Sequence, residues 1–567
     1  MNNLTQFSPN HKTMKCILSF SLMWLVAGLS LLNAQTRYDQ LTYPELNPYQ
    51  VPDIVTFELD NGITFYLVQD TELPLINLNV IVRAGSFMLT NDKAGLGSLT
   101  TQVMRNGGSE KYPGEELNEL LENNAARMEL GMGLTSGSAS MNVLKEDFND
   151  LLPVFIDLLK NPAFPEDKLQ LAKTQARSSI SRRNDNAQGV ANREFGRLIY
   201  GEESLYGRLT EYETLNNIER EDLIAFHQQA FTGSNLMIGI TGDFSPRQMR
   251  RALRRAFADY PQGTPNELDL PEVDYTFDSS INFIDKPDVN QSVISMGHIG
   301  GLRDNPDYAA LQAMNQILSG GFSGRLFQIV RSEMGLAYGV FGSYQSNNHY
   351  KGQFYAGIST RSEATGEAII AVRDQIARLQ NERVGDAELE ETKERILNSL
   401  VFRTDSKARV LRERMSNEYN GLPADAFDQY IEELREVTPD DIYRVANEYI
   451  QPDNMRILVV GNAEEIGDQL EQFGEVNEID ITIPRAPHTE AEAVSGDPEA
   501  GREWFARVAD AIIEPGTTVE EVTMEGTFIQ MTEQVPGGKM TMNTTITLRP
   551  PGVWIQNIET PMGAQTI

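Results

Sequence analysis

The chain has 567 residues, more than one core can organise, and its 40% of hydrophobic residues is enough for two to four packed domains. Its 48 Lys and Arg against 81 Asp and Glu leave a formal charge of −33, which disfavours the basic face that nucleic-acid binding requires. The one cysteine, Cys16, lies in a leader-like segment, so the rest of the chain has no disulfide, thiolate ligand or thiol nucleophile.

Residues 1–34 read as a secretory signal peptide. Lys12 and Lys15 precede the apolar run 17–32, Leu32-Asn33-Ala34 offers a cleavage site, and Met1 or Met14 is the start. The pattern predicts export to the periplasm or cell envelope, with no later run of membrane-spanning length. Residues 55–70 predict a hairpin about Asn61-Gly62, and LINLNVIVRAGS (75–86) alternates as a half-buried strand does. AGLGSLTTQVM (94–104) then opens a buried helix. Helices are expected at 115–126 and 146–161, with a strand at 136–144 between them, and a long polar helix over 166–185.

An internal repeat follows. DLIAFHQQAFTGSNLMIGITGD (222–243) aligns without a gap on DIYRVANEYIQPDNMRILVVGN (441–462) at an offset of 219, each a helix, a short turn and a continuously apolar strand ending in Gly. An offset this long means duplicated domains rather than a solenoid. Gly107-Gly108 and Gly320-Gly321 each close a helical segment, and the second pair lacks the Gly-Lys-Ser/Thr of a phosphate loop. Between the copies, 263–276 is an acidic, Pro-containing linker. The second copy continues with the strand VISMGHIG, a helix at 307–318, GGFSGRLFQIVRSEMGLAYGV (320–340), a hairpin at 340–360 and a helix at 363–380. Strands and helices mix without strict alternation, which predicts an α+β chain of two duplicated mixed α/β domains, each an antiparallel-rich sheet with helices on one face. After a second linker, 471–500, the segment 501–567 predicts an amphipathic helix and a three-stranded meander, too few strands to bury a face well. The domain bounds are therefore 45–262 and 277–470, with a small and incomplete β-rich domain at 501–567.

The duplication, the setting of AGLGSLTTQVM and the later GGFSGRLFQIVRSEMGLAYGV resemble the insulinase/pitrilysin family of zinc metallopeptidases over about 45–470. The resemblance implies a clam-shell fold and, on the first helix, an inverted His-x-x-Glu-His motif whose two imidazoles hold zinc while the Glu activates water. Gly95-Leu96 and Met104 match the flanks, and on that register Ser98 replaces the first His, Thr101 the Glu and Gln102 the second His. The family's third ligand, a Glu about 76 residues on, falls at Ser179, give or take one position. All four positions are changed to weak, neutral donors. The five histidines, His11, His227, His298, His349 and His488, offer no two within one or two helical turns as a replacement pair.

The resemblance also covers an Arg and a Tyr seven positions apart, present here as Arg331 and Tyr338. In active members such a pair binds substrate backbone and steadies the transition state across the cleft, and the residue types suit a peptide carbonyl or its oxyanion. Some members work as two chains, one with the zinc motif and one with the Arg/Tyr pair. The resemblance thus implies a substrate-binding, non-catalytic subunit of a cell-envelope zinc endopeptidase, inactive alone, with no cofactor of its own and zinc in a homologous partner chain. Its substrates would be peptides or small proteins. The alternative is a non-enzymatic scaffold or peptide-binding protein that keeps the peptidase fold. The order of helix and meander in 501–567, with ETPMG, also resembles the periplasmic lipoprotein-carrier barrel.

Overall fold

The computed structural model describes residues 52–484, save residue 404, and four strands between 522 and 566. The chain divides into two compact units that part after Pro484. The expected signal peptide, the segment 485–500 and the expected helix at 501–514 lie outside the described residues.

In the first unit, strands β1 (Val55–Glu58), β2 (Thr64–Gln69), β3 (Leu75–Val82), β4 (Arg127–Met132), β5 (Gly137–Leu144) and β6 (Leu236–Gly242) form one six-stranded sheet in the order β1-β2-β6-β3-β5-β4. A second sheet uses β7 (Ser280–Asp285), β8 (Gln291–Ile299), β10 (Ala337–Tyr344), β12 (Gln353–Arg361), β13 (Arg456–Gly461) and β14 (Val476–Glu478), in the order β10-β12-β8-β13-β7-β14. The short strands β9 (Gly301–Leu302) and β11 (Ser346–Asn347) pair beside it. Taken from the opposite edge, the second sheet repeats the first over five strands and differs at the outermost, where β1 lies antiparallel to β2 but β14 lies parallel to β7. β2 runs parallel to β6 as β7 does to β13, and the pairings from there to the far edge are antiparallel. Two mixed α/β halves related by duplication are therefore present, as expected.

The repeat seen in the sequence is structural to the residue. Helices Arg220–Ala230 and Pro439–Tyr449 start and stop at the same offset, as do the strand ends Gly242 and Gly461. Both helices begin with a capping box, Glu219 with Asp222 and Thr438 with Asp441, which satisfies otherwise orphaned amides at each N-terminus. β6 and β13 are apolar almost throughout because both faces of each are covered.

That double cover differs from the expected sheet with helices on one face. The inner face of each sheet carries its own half's helices, among them Leu96–Gly107 and Phe148–Lys160 in the first and Tyr308–Ser319 and Thr365–Asn381 in the second. The other face is covered by the opposite half. Helix Ala187–Tyr200 lays Val190, Ala191, Phe195 and Ile199 on Val293, Leu458 and Val460 of the second sheet. Helix Lys407–Tyr419 lays Leu411 and Met415 on Tyr66, Val68 and Met237 of the first. The exchange also breaks the helix expected over 166–185. It stops at Ser181, and Asn186 caps a new helix by accepting from the Gly189 amide at 2.8 Å, so that the chain turns toward the second sheet. Among the described residues no helix is long and apolar enough to cross a membrane.

The second unit holds four antiparallel strands in sequence order, β15 (Val522–Met531), β16 (Lys539–Arg549), β17 (Val553–Thr560) and β18 (Gly563–Thr566). The meander thus has one strand more than expected, because Gly563–Thr566 pairs antiparallel with β17, with Thr560 opposite Gly563.

Candidate functional site

Helix Leu96–Gly107 presents the degenerate motif. Leu99, Val103 and Met104 point into the first core, and Gly97 makes room for Met132, whose Cγ would lie 2.8 Å from any Cβ placed there. Ser98 and Gln102, one turn apart, fall on the outer side, Ser98 exposed and Gln102 half-buried. Thr101 is turned inward and is 2% exposed. Its hydroxyl donates back to the carbonyls of Gly97 and Ser98 at 3.3 and 3.2 Å. A hydroxyl committed to backbone carbonyls cannot stand in for a water-activating carboxylate.

Helix Glu166–Ser181 packs along the motif helix, as the spacing of the expected third ligand requires. Ser179 is exposed and its hydroxyl donates to the Gln175 carbonyl at 3.1 Å. The residue that reaches across is Gln175, one turn earlier, which accepts a 2.7 Å bond from the Gln102 amide. An amide pair joins the two helices where the family joins them through a metal. Gln175 was findable only as the residue four before Ser179 on the same face.

A zinc site of the family's kind asks for three imidazole, thiolate or carboxylate donors. These positions supply two exposed hydroxyls, one inward hydroxyl and one amide already paired with Gln175, so the donor set does not fit zinc. Among the described residues no three His, Cys, Asp or Glu side chains gather in a way that could hold a metal ion. The described histidines are each held by structure. His227 Nε2 meets the Leu159 carbonyl at 2.8 Å between the rings of Phe164 and Phe231. His298 accepts the Gln451 amide at Nε2, 3.0 Å, and donates from Nδ1 to the Ile299 carbonyl at 2.7 Å. His349 Nε2 lies 2.8 Å from Asn420 Oδ1.

Arg331 and Tyr338 are brought together by two irregular pieces of backbone. Arg331 sits on a π-helical stretch, Leu326–Glu333, in which the Met334 amide reaches five residues back to the Ile329 carbonyl at 2.9 Å. Arg325 anchors the start of this stretch by a bidentate pair with Glu388 at 2.9 and 2.8 Å. Gly335, at φ +64 with open space around it, lets the chain turn into β10. There the pairing with β12 slips between Ala337 and Gly339, so Tyr338 is the bulged residue on an edge strand. Thr360 pins the approach by donating to the Leu336 carbonyl at 2.6 Å. Tyr338 is consequently 81% exposed.

The Arg331 guanidinium lies 4.5 Å from the Phe327 ring centre and 5.1 Å from that of Tyr338. Among the described residues it makes no ion pair or side-chain hydrogen bond, with Glu333 or with any other group. Ring faces engage the flat sides of a guanidinium and leave its N–H edge open to a carbonyl or carboxylate. Phe327 meets the exposed Phe322 edge-on at 4.8 Å, extending an aromatic border beside the pair. Phe327, four residues before Arg331, was missed in the sequence because an aromatic at that spacing is more often core.

Residues 65–209 match the profile of the insulinase family, peptidase family M16, and residues 217–396 match that of the peptidase M16 inactive domain. The chain is 23% identical over 425 residues to a non-peptidase homolog, YmxG, of Helicobacter pylori, covering 74% of this chain and 94% of that protein. It is 22% identical over 408 residues to an uncharacterized zinc protease, YmxG, of Bacillus subtilis, covering 72% and 98%. Its fold is similar to a solved structure of a peptidase M16 inactive domain from Pseudomonas fluorescens, at 25% identity and a TM-score of 0.66, covering 72% of this chain and 98% of that one.

Proposed function

This chain belongs to the insulinase family of peptidases, M16, and we propose that it is a non-catalytic, substrate-binding subunit of a cell-envelope zinc endopeptidase, working with a homologous chain that bears the zinc motif. One contrast carries the reading. The metal-site positions Ser98, Thr101, Gln102 and Ser179 are neutral, and the last three are spent on local hydrogen bonds, whereas Arg331 and Tyr338 keep their donors unspent. A scaffold has no use for a π-helical turn and a bulge that hold an Arg and a Tyr toward solvent. In the two-chain enzyme, Arg331 and Tyr338 donate to the peptide carbonyl as negative charge develops on it at the partner's metal, and their effect falls on turnover more than on binding. The leader-like residues 1–34 support an envelope location, and the acidic chain supports a peptide rather than a nucleic-acid ligand.

The test is peptide hydrolysis by this chain alone, and by this chain mixed with a zinc-motif homologue. Alone it is expected to carry no stoichiometric zinc and to cleave nothing. In the complex, Tyr338→Phe is expected to lower turnover by about 10²–10³ with an unchanged Tm. Chelator-sensitive proteolysis by the chain alone, or an unchanged rate in a well-folded Tyr338→Phe complex, defeats the proposal.

A further inference from the structure

Helix Pro246–Ala256, PRQMRRALRRA, buries Met249 and Leu253 against the first half, where it packs on β2 and on helix Phe148–Lys160. Its other face carries Arg247, Arg250, Arg251, Arg254 and Arg255, all exposed. Their spacing of i, i+3, i+4, i+7 and i+8 makes one stripe about 12 Å long. Arg250 and Arg254 rest on the Phe57 ring, 5.0 and 6.0 Å from its centre. Among the described residues none of the five guanidinium groups makes an ion pair or a hydrogen bond.

That is unexpected in a chain of charge −33. Several arginines elsewhere find carboxylates, Arg325 with Glu388, Arg444 with Asp307 and Arg456 with Asp278. The acids at the two ends of this helix, Asp243 and Asp259, are taken by Lys145 and Lys160 at 2.7 Å each. Like charges one turn apart destabilise a helix, and Arg247 stands in the first turn, where the helix dipole favours an anion. Arg254 and Arg255 stand in the last turn, where the dipole favours cations, but the stripe as a whole is left without carboxylate partners and gains charge-assisted bonds when carboxylates meet it.

We propose that this arginine stripe docks an acidic helix of a partner protein, one whose Asp or Glu side chains recur every three to four residues. Guanidinium forks suit carboxylates bidentately, and a facing helix repeats at the same pitch. An anionic bilayer fits less well. The stripe is narrow and carries no exposed large apolar side chain to enter a membrane, and the chain around it is acidic. A slim helix touches the stripe alone. The proposal does not depend on the role of Arg331 and Tyr338.

The experiment is fluorescence anisotropy of the full chain with a labelled helical peptide bearing glutamate at i, i+4 and i+7. A peptide of the same composition, with its glutamates spread around the helix, is the control. Saturable binding is expected that weakens as salt rises above about 0.1 M. Arg247→Gln/Arg251→Gln/Arg255→Gln leaves the two arginines on Phe57 in place. It is expected to weaken binding about tenfold or more, with a Tm unchanged or raised because repulsion is relieved. Should the triple variant fold poorly, the single variants Arg251→Gln and Arg255→Gln are each expected to weaken binding by a smaller factor. Equal affinity in the folded variants, equal affinity for the control peptide, or tighter stripe-dependent binding to phosphatidylglycerol vesicles than to the peptide overturns the proposal.

Discussion

His227 and His298 show how side chains with catalytic potential are consumed by packing. Both are buried, and burial holds each imidazole below its ordinary value of about 6.5, with the backbone bonds to Leu159 and Ile299 opposing only in part. The native state therefore favours the neutral rings, and His298 needs a bare Nε2 to accept the Gln451 amide. Above about pH 6.5 both folded and unfolded rings are neutral and stability is level. As pH falls below that value the unfolded chain takes up protons that the folded chain resists, so stability declines toward the depressed native values. Asp307 and Asp441, whose carboxyls are lowered chiefly by Arg444 and by Thr438 respectively, contribute stability that is lost only below about pH 4. Denaturant midpoints between pH 7.5 and 5 are expected to fall, and the fall is expected to shrink in His227→Gln and His298→Gln, each compared with its own value at about pH 7.5. At the same scale, the loss of the zinc motif at Ser98, Thr101 and Gln102 was legible in the sequence, since residue identity alone decides it. The spacing of Arg331 and Tyr338 was legible too. The π-helical turn and the bulge were not, because both are matters of backbone register fixed by pairing with β12 and by the Arg325–Glu388 anchor.

β6 and helix Lys407–Tyr419 meet at a glycine that shows how one element admits another. Gly239 faces the helix, and a Cβ there would come within 2.3 Å of Met415 Sδ and 3.1 Å of a Leu411 methyl. The missing side chain sets how closely the helix approaches the sheet. Gly239→Val is expected to push Leu411 and Met415 outward and to cost about 1–3 kcal/mol by urea unfolding. The same substitution at Gly196, a helical position with open space around it, is expected to be neutral or slightly stabilising, since valine forms helix better than glycine. A Gly239→Val protein as stable as the parent would mean that the helix is not seated there. The repeat that contains this strand was readable, because a central strand covered on both faces shows as an unbroken apolar run. What covers the second face was not readable. Helix Lys407–Tyr419 has an apolar face, but its sequence does not say that this face belongs to a sheet built from much earlier in the chain, where Tyr66, Val68 and Met237 lie.

Each half of the first unit completes the other, and this sets how the unit folds. The seam carries polar bonds as well as the exchanged helices. Tyr66 donates to Glu418 at 2.6 Å, Tyr419 to the Thr135 carbonyl at 2.6 Å and Tyr200 to the Lys351 carbonyl at 3.0 Å. Phe195 of one half meets Tyr355 of the other edge-on at 5.3 Å. Taken alone, a chain of residues 52–262 would expose Tyr66, Val68 and Met237 on its sheet, together with the apolar face of helix Ala187–Tyr200, with no partner for either. Surfaces of that kind drive aggregation rather than stable folding. Calorimetry of residues 52–484 is therefore expected to show one unfolding transition, with van't Hoff and calorimetric enthalpies in agreement. Residues 52–262 expressed alone are expected to be insoluble or to lack a cooperative transition, and co-expression with residues 263–484 is expected to restore a soluble complex. Two separated transitions in the joined chain, or a cooperative fold of either half alone, would show that the exchanged helices only decorate two independent domains. The distinction bears on function, because a rigid pair of halves fixes the orientation of Arg331 and Tyr338 relative to whatever chain docks on them, and a hinged pair does not.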